Sequence, residues 1–207
     1  MKQDSYFEVE VKLYVPDLEA VAARLKHAHA ALVTPRTYEY NVRYENQDET
    51  LSANRIVLRL RKDERVRLTY KEPTAQIHGD IPVRFEAEVD VNDMEAMAVI
   101  LEKLGYHPYL TYEKYRTTYR LHNAEVVLDE MPYGNFVEIE GAPEDIREVL
   151  QLIDLEKAPQ YRANYIRLFE NVRQNMGLTF KDLSFENFKG ITVPETALAA
   201  PNGEEQA

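Results

Sequence analysis

Apolar and charged residues alternate from position 6 to 15, so that Glu8, Glu10 and Lys12 share one face of an extended chain and Val9, Val11 and Leu13 the other. Pro16-Asp17 then opens a helix, with Leu18, Val21, Ala22 and Leu25 at helical spacing. Period-two patterning returns at Tyr38–Tyr44, at Arg55–Arg61 and Arg65–Lys71 as a hairpin around Lys62-Asp63-Glu64, and at Pro82–Val91. Asn92 or Asp93 caps a second helix through Met94, Met97, Ile100 and Leu101, which Gly105 stops. Strands follow at Tyr112–Leu121, Glu125–Asp129 and Phe136–Glu140, the last two turned by a segment holding Pro132 and Gly134. Pro143 opens a helix over 144–153, and a further helix is expected over 162–175. These elements predict an α+β fold with a large antiparallel sheet. We expect a domain over 1–175, an amphipathic extension over 176–193 that docks as a helix, and an Ala-, Pro- and Glu-rich disordered tail over 194–207.

The charges are sorted by sign along the strands. Arg59 and Arg61 lie opposite Leu58 and Leu60, Thr69 pairs with Lys71, Glu86 with Glu88, Lys114 with Arg116, and Glu138 with Glu140. A solvated face over an apolar core explains any one strand. It does not explain acid beside acid and base beside base, because a surface selected for solubility mixes its signs. Acid pairs and base pairs on opposite walls of a closed barrel would neutralise each other around a wet interior, with the apolar alternates turned outward under the helices. Small barrels are usually filled the other way round, and the pattern alone does not decide which face points in.

Composition narrows the field. With 207 residues, 44% hydrophobic and 29% charged, the chain can bury a sizeable core. It has no apolar run long enough for a membrane-spanning helix and no apolar leader at its start, so a cytoplasmic location and no membrane partner are expected. It has no cysteine, which excludes disulfides and thiolate metal sites. A net charge of −11 argues against nucleic acid as the partner but leaves room for a small polyanion in a local basic pocket. The seven glycines form no phosphate-binding loop, and the five histidines show no zinc spacing.

The ordered motifs resemble the CYTH superfamily, the triphosphate tunnel metalloenzymes. Glu8-Val9-Glu10-Val11-Lys12 matches the family's opening Glu-x-Glu-x-Lys. Leu58-Arg59-Leu60-Arg61, Leu68-Thr69-Tyr70-Lys71, Phe85-Glu86-Ala87-Glu88, Lys114-Tyr115-Arg116, Leu128-Asp129-Glu130 and Gly134 through Gly141 resemble its later strands in the right order. One departure is visible. Many members carry an aspartate after the aromatic pair of the second strand, where this chain reads Arg43-Tyr44-Glu45-Asn46, and Glu45 receives no role.

The resemblance implies a closed antiparallel eight-stranded β-barrel with helices packed outside. It also implies an Mg²⁺- or Mn²⁺-dependent enzyme acting on a triphosphate: ATP, thiamine triphosphate or tripolyphosphate. Glu8, Glu10, Asp129, Glu138 and Glu140 would be the metal carboxylates, with Glu86 and Glu88 behind them or in ion pairs across the barrel. Lys12, Arg59, Arg61, Lys71, Lys114 and Arg116 would bind phosphate, and Lys12, Lys71 and Arg116 would act in the chemical step. Arg43 and Arg120 are expected at the surface. The leading activity implied is that of a class IV adenylate cyclase, with inorganic or thiamine triphosphatase next and a non-catalytic polyphosphate or nucleotide binder third. A homodimer is common in the family, and the C-terminal extension is placed either to mediate one or to close a tunnel end.

Overall fold

The computed structural model describes residues 7–78 and 81–201. Eight antiparallel strands close into a ring: β1 (Phe7–Val15), β2 (Ala31–Asn46), β3 (Val57–Lys62), β4 (Val66–His78), β5 (Ile81–Val91), β6 (Tyr106–Leu121), β7 (Ala124–Met131) and β8 (Gly134–Glu140). Around the ring the order is β1-β5-β4-β3-β2-β6-β7-β8, with β8 pairing back onto β1. Closure leaves no sheet edge exposed. Among the described residues, no helix is long and apolar enough to cross a membrane.

The apolar faces point outward, and much of their area is covered by helices, though Val89 of β5 stays exposed. Val11, Leu13, Val126, Leu128, Val137 and Ile139 pack against Val21 and Leu25 of α1 (Leu18–His27) and Ile146 and Val149 of α4 (Pro143–Leu152). On the other side, Leu58 and Leu60 pack with Leu101 of α3 (Met94–Lys103). Caps fix where two of these helices begin. Asp17 accepts from the amides of Glu19 and Ala20 at 2.9 and 3.1 Å, and Asp93 from that of Ala96 at 3.0 Å.

Several boundaries differ from those expected, β4 among them, which runs on to His78. β2 and β6 are longer because the proline positions, Pro35 and Pro108, fall at or beside register shifts where no regular ladder is demanded. α5 (Tyr165–Met176) starts three residues late because Asn164 is its cap, accepting from the Arg167 amide at 2.9 Å. A short helix, α2 (Thr50–Ala53), was not expected at all. Its open amides are held by the fully buried Glu45, which accepts from Leu51 and Ser52 at 3.0 and 2.7 Å. Glu45 is therefore a helix anchor.

The C-terminal segment also corrects the sequence reading. Residues 176–193 dock, but not as a helix: Leu183 bridges to Tyr112, exchanging backbone hydrogen bonds with the flanking Thr111 and Glu113 at 3.0 and 2.9 Å. Residues 194–201, expected to be disordered, form a 3₁₀ turn (Glu195–Leu198) on α5. Leu198 is fully buried there, and Asn171 and Asn175 donate to the carbonyls of Leu198, Ala197 and Ala199 at 2.9–3.0 Å. The apolar side of α5 reads these residues in, which composition alone does not reveal. The expectation for 202–207 lies outside the described residues. Together α5 and this segment cover the inward Phe136, Met131, Tyr112 and Leu110, closing one end of the barrel.

Leu198→Ala should therefore lower unfolding free energy by about 2–4 kcal/mol. Urea denaturation followed by circular dichroism reads this, and a loss under about 0.5 kcal/mol would mean the segment is not docked.

Candidate active site

Because alternate residues share a face, turning the apolar positions outward commits the charged positions to the inside. They enclose a cavity of about 250 Å³. Glu10, Lys12, Arg59, Arg61, Lys71, Glu86, Glu88, Lys114, Arg116, Glu138 and Glu140 all line it. The Glu8 backbone pairs with Arg84 of β5, but the expected role of its side chain lies outside the described residues.

One part of the wall is a lattice of compensated charges. Asp129, fully buried, accepts from Lys114 at 3.0 Å, from Arg116 at 2.8 and 2.5 Å, and from the Tyr165 hydroxyl at 2.8 Å. Glu138 takes Lys12 at 3.1 Å and Arg116 at 2.7 Å. Burial works to raise the Glu138 pKa, but Lys12, Arg116 and Lys114 overcome it and hold the carboxyl well below its ordinary value. The ring of Tyr165 lies under both ammonium groups, 4.6 Å from Lys12 and 5.3 Å from Lys114.

Glu39 belongs to this lattice and was missed by the sequence reading. It is buried and faces Arg61 at 3.3 Å, Lys114 at 3.5 Å and Arg116 at 3.9 Å. Burial opposes its ionisation, yet those cations hold its pKa below the usual carboxylate range. The signal was present: Glu39, Asn41 and Arg43 alternate with Tyr38, Tyr40 and Val42.

A second part is basic and largely uncompensated. Arg59 donates to the Tyr112 hydroxyl at 3.1 Å and to Thr69 at 3.2 Å, while Glu88 stands back at 3.9 Å. Arg43 does not sit at the surface as expected; it turns into the cavity, as does Arg84. Among the described residues, their hydrogen bonds go to backbone carbonyls, of Ile56 at 3.2 Å and of Arg55 at 3.3 Å respectively. Among the described residues, the Nε atoms of Arg43, Arg59, Arg67 and Arg84 are buried without a hydrogen-bond partner. Burial, followed by Arg59 and Arg84, pushes the Arg43 pKa down. Burial also works to raise the Tyr112 pKa, but Arg59, Arg61 and Lys114 bring it below the ordinary tyrosine value. Arg120 stays exposed, 3.6 Å from Glu125.

The third part is acidic. Glu10 and Glu140 oppose each other across β1 and β8, and Glu125 opposes Glu140 across β7. Among the described residues, no ion pair engages Glu10 or Glu140. Burial first, then Glu10, raises the Glu140 carboxyl to about 7. No three acidic or histidine side chains among the described residues form a ready-made metal cage. An opposed carboxylate pair that repels itself still fits a divalent ion that draws its other ligands from water and phosphate. Asp129, by contrast, is saturated by donors.

Residues 7–167 match the CYTH domain. The chain belongs to the CYTH family. A Methanocaldococcus jannaschii protein provisionally named an adenylate cyclase is 27% identical over 173 residues, covering 78% of this chain and 97% of that protein. The solved structure of a Pyrococcus horikoshii protein matches with a TM-score of 0.64 at 24% identity, over 79% of this chain and 98% of its own. A Hippeastrum protein, described as an adenylyl cyclase candidate with a dominant triphosphatase activity, matches with a TM-score of 0.61 at 18% identity, over 79% and 95%. What this CYTH chain shares with those two structures is the fold.

The raised Glu140 pKa links stability to pH. The folded state holds a proton on Glu140 more tightly than the unfolded chain does, so this group destabilises the metal-free protein as pH rises from about 4.5 to 7. Glu140→Gln should stabilise the metal-free protein at pH 8, on the order of 2 kcal/mol, and leave it nearly unchanged at pH 4. Thermal melts at the two pH values check this; equal shifts at both would remove the argument.

Proposed function

We propose that this CYTH protein is a divalent-metal-dependent hydrolase of a triphosphate chain, held along the barrel axis. The observation that carries the reading is a charge-lined cavity in which, among the described residues, buried arginine Nε donors without a hydrogen-bond partner share the lining with a Glu10–Glu140 carboxylate pair that no ion pair engages. Arginine forks match phosphate oxygens, and an excluded-water site strengthens every such contact. Glu10 and Glu140 would hold Mg²⁺ or Mn²⁺, which when bound neutralises phosphate oxygens. Arg59, Arg61 and Lys71 bind the phosphates. Lys12, Lys114 and Arg116 present N–H donors to the passage, held in place by Asp129, Glu138 and Glu39. Lys12, Lys71 and Arg116 stabilise the charge that develops as water attacks phosphorus and the bond to the bridging oxygen breaks.

Resemblance alone ranked ATP cyclisation first, and the name of the Methanocaldococcus jannaschii relative favours it as the second reading. The lining favours hydrolysis. The Tyr165 ring faces two ammonium groups, and the rest of the lining is mostly charged side chains, which offer a phosphate chain many contacts and a nucleobase few.

Incubation with tripolyphosphate, ATP or thiamine triphosphate, each with Mg²⁺ or Mn²⁺, should release orthophosphate without cyclic AMP. Cyclic AMP as the main product from ATP would overturn the hydrolase reading in favour of the cyclase. Glu10→Ala and Lys71→Ala should each cut turnover by at least about a hundredfold while the protein stays folded. Arg59→Lys, which keeps the charge and loses the fork, should lower kcat/KM by about ten- to a hundredfold.

A further inference from the structure

Arg43, like Arg67 and Arg84, is an inward cation that the hydrolase reading leaves unused. It stands directly across β2 and β3 from Arg59, a like-charge pair at the heart of a sheet, where such pairing is unfavourable. No acidic side chain lies within ion-pair distance of it among the described residues. Its other cross-strand neighbour is Leu110 of β6, which packs beneath α5 and the C-terminal segment. Arg43 and Arg59 therefore share one cross-strand row with Leu110, beside the closed end. The carboxylates lie the other way: along β8, Phe136 packs under α5, Glu138 comes next, and Glu140 is farthest from it.

A phosphate chain is not symmetric in charge. Its terminal phosphoryl group carries more negative charge and more free oxygens than an internal one. A deep end holding two guanidinium groups that share no carboxylate suits that terminus. A mouth holding Glu10 and Glu140 suits the part of the chain that binds through a metal. We propose that Arg43 and Arg59 together clasp the terminal phosphoryl group at the closed end. Substrates then enter terminal phosphate first, and the site selects chains with one free end over chains capped at both ends. This rests on the reading of the cavity as a triphosphate site. The cost of holding Arg43 charged and unpaired in the free protein is recovered when the anion arrives.

Calorimetric titration of tripolyphosphate and of a dinucleoside triphosphate, each with Mg²⁺, tests the proposal on the full chain. The wild type should bind tripolyphosphate and discriminate strongly against the doubly capped chain. Arg43→Met should weaken tripolyphosphate about ten- to a hundredfold, lose most of that discrimination, and melt no lower than the wild type without ligand. Arg65→Met, which removes an exposed arginine paired with Asp90, should change none of these. If the wild type fails to bind tripolyphosphate, the triphosphate reading itself falls. If the wild type binds it and Arg43→Met binds it equally well, only the clasp is overturned. Should Arg43→Met not fold, Arg43→Lys serves: unchanged affinity and unchanged discrimination would refute the clasp, and loss of both would support it.

Discussion

Asp129, Glu138 and Glu39 each hold at least two cations inside the barrel, and the rest of the structure depends on that arrangement. Bringing this many charges out of water carries a desolvation cost of several kcal/mol per ion. The cost is tolerable only because each carboxylate sits between cations and because Tyr165 adds a hydroxyl to Asp129 and a ring face to Lys12 and Lys114. The apolar residues are then free to face outward. The fold's hydrophobic stabilisation comes from the shell between barrel and helices, and not from the barrel's interior.

The compensation is uneven, and function follows from the unevenness. Around β6, β7 and β8 the charges are paired almost to saturation, which makes that wall a rigid frame. Among the described residues, Arg43, Arg59 and Arg84 have hydroxyls and carbonyls as their hydrogen-bond partners, so their charge is directed more than it is cancelled. At Glu10 and Glu140 negative charge is likewise left over. A cavity with surplus positive charge on one side and surplus negative charge on the other is poorly settled by itself. It becomes well settled when a polyanion and a divalent cation enter together.

Much of this was legible in the chain. Alternation placed all eight strands, and the sorting of charges by sign identified nearly every inward residue, because a period of two leaves few other ways to arrange them. The errors are instructive. Arg43 was assigned to the surface and Glu39 was overlooked, since one arginine or one glutamate among tyrosines carries no local mark of burial. Glu45 resembled a site residue by position but anchors α2, a distinction that depends on where two backbone amides lie.

The sequence by itself determined that one face of each strand is apolar and the other charged, and that the two classes of charge come in blocks. Only the tertiary structure decided that the charged faces turn inward, which ions neutralise one another, and which stay unpaired. Side-chain periodicity is a property of neighbouring residues, whereas compensation of charge is set by strands that lie far apart in the chain and meet only when the barrel closes.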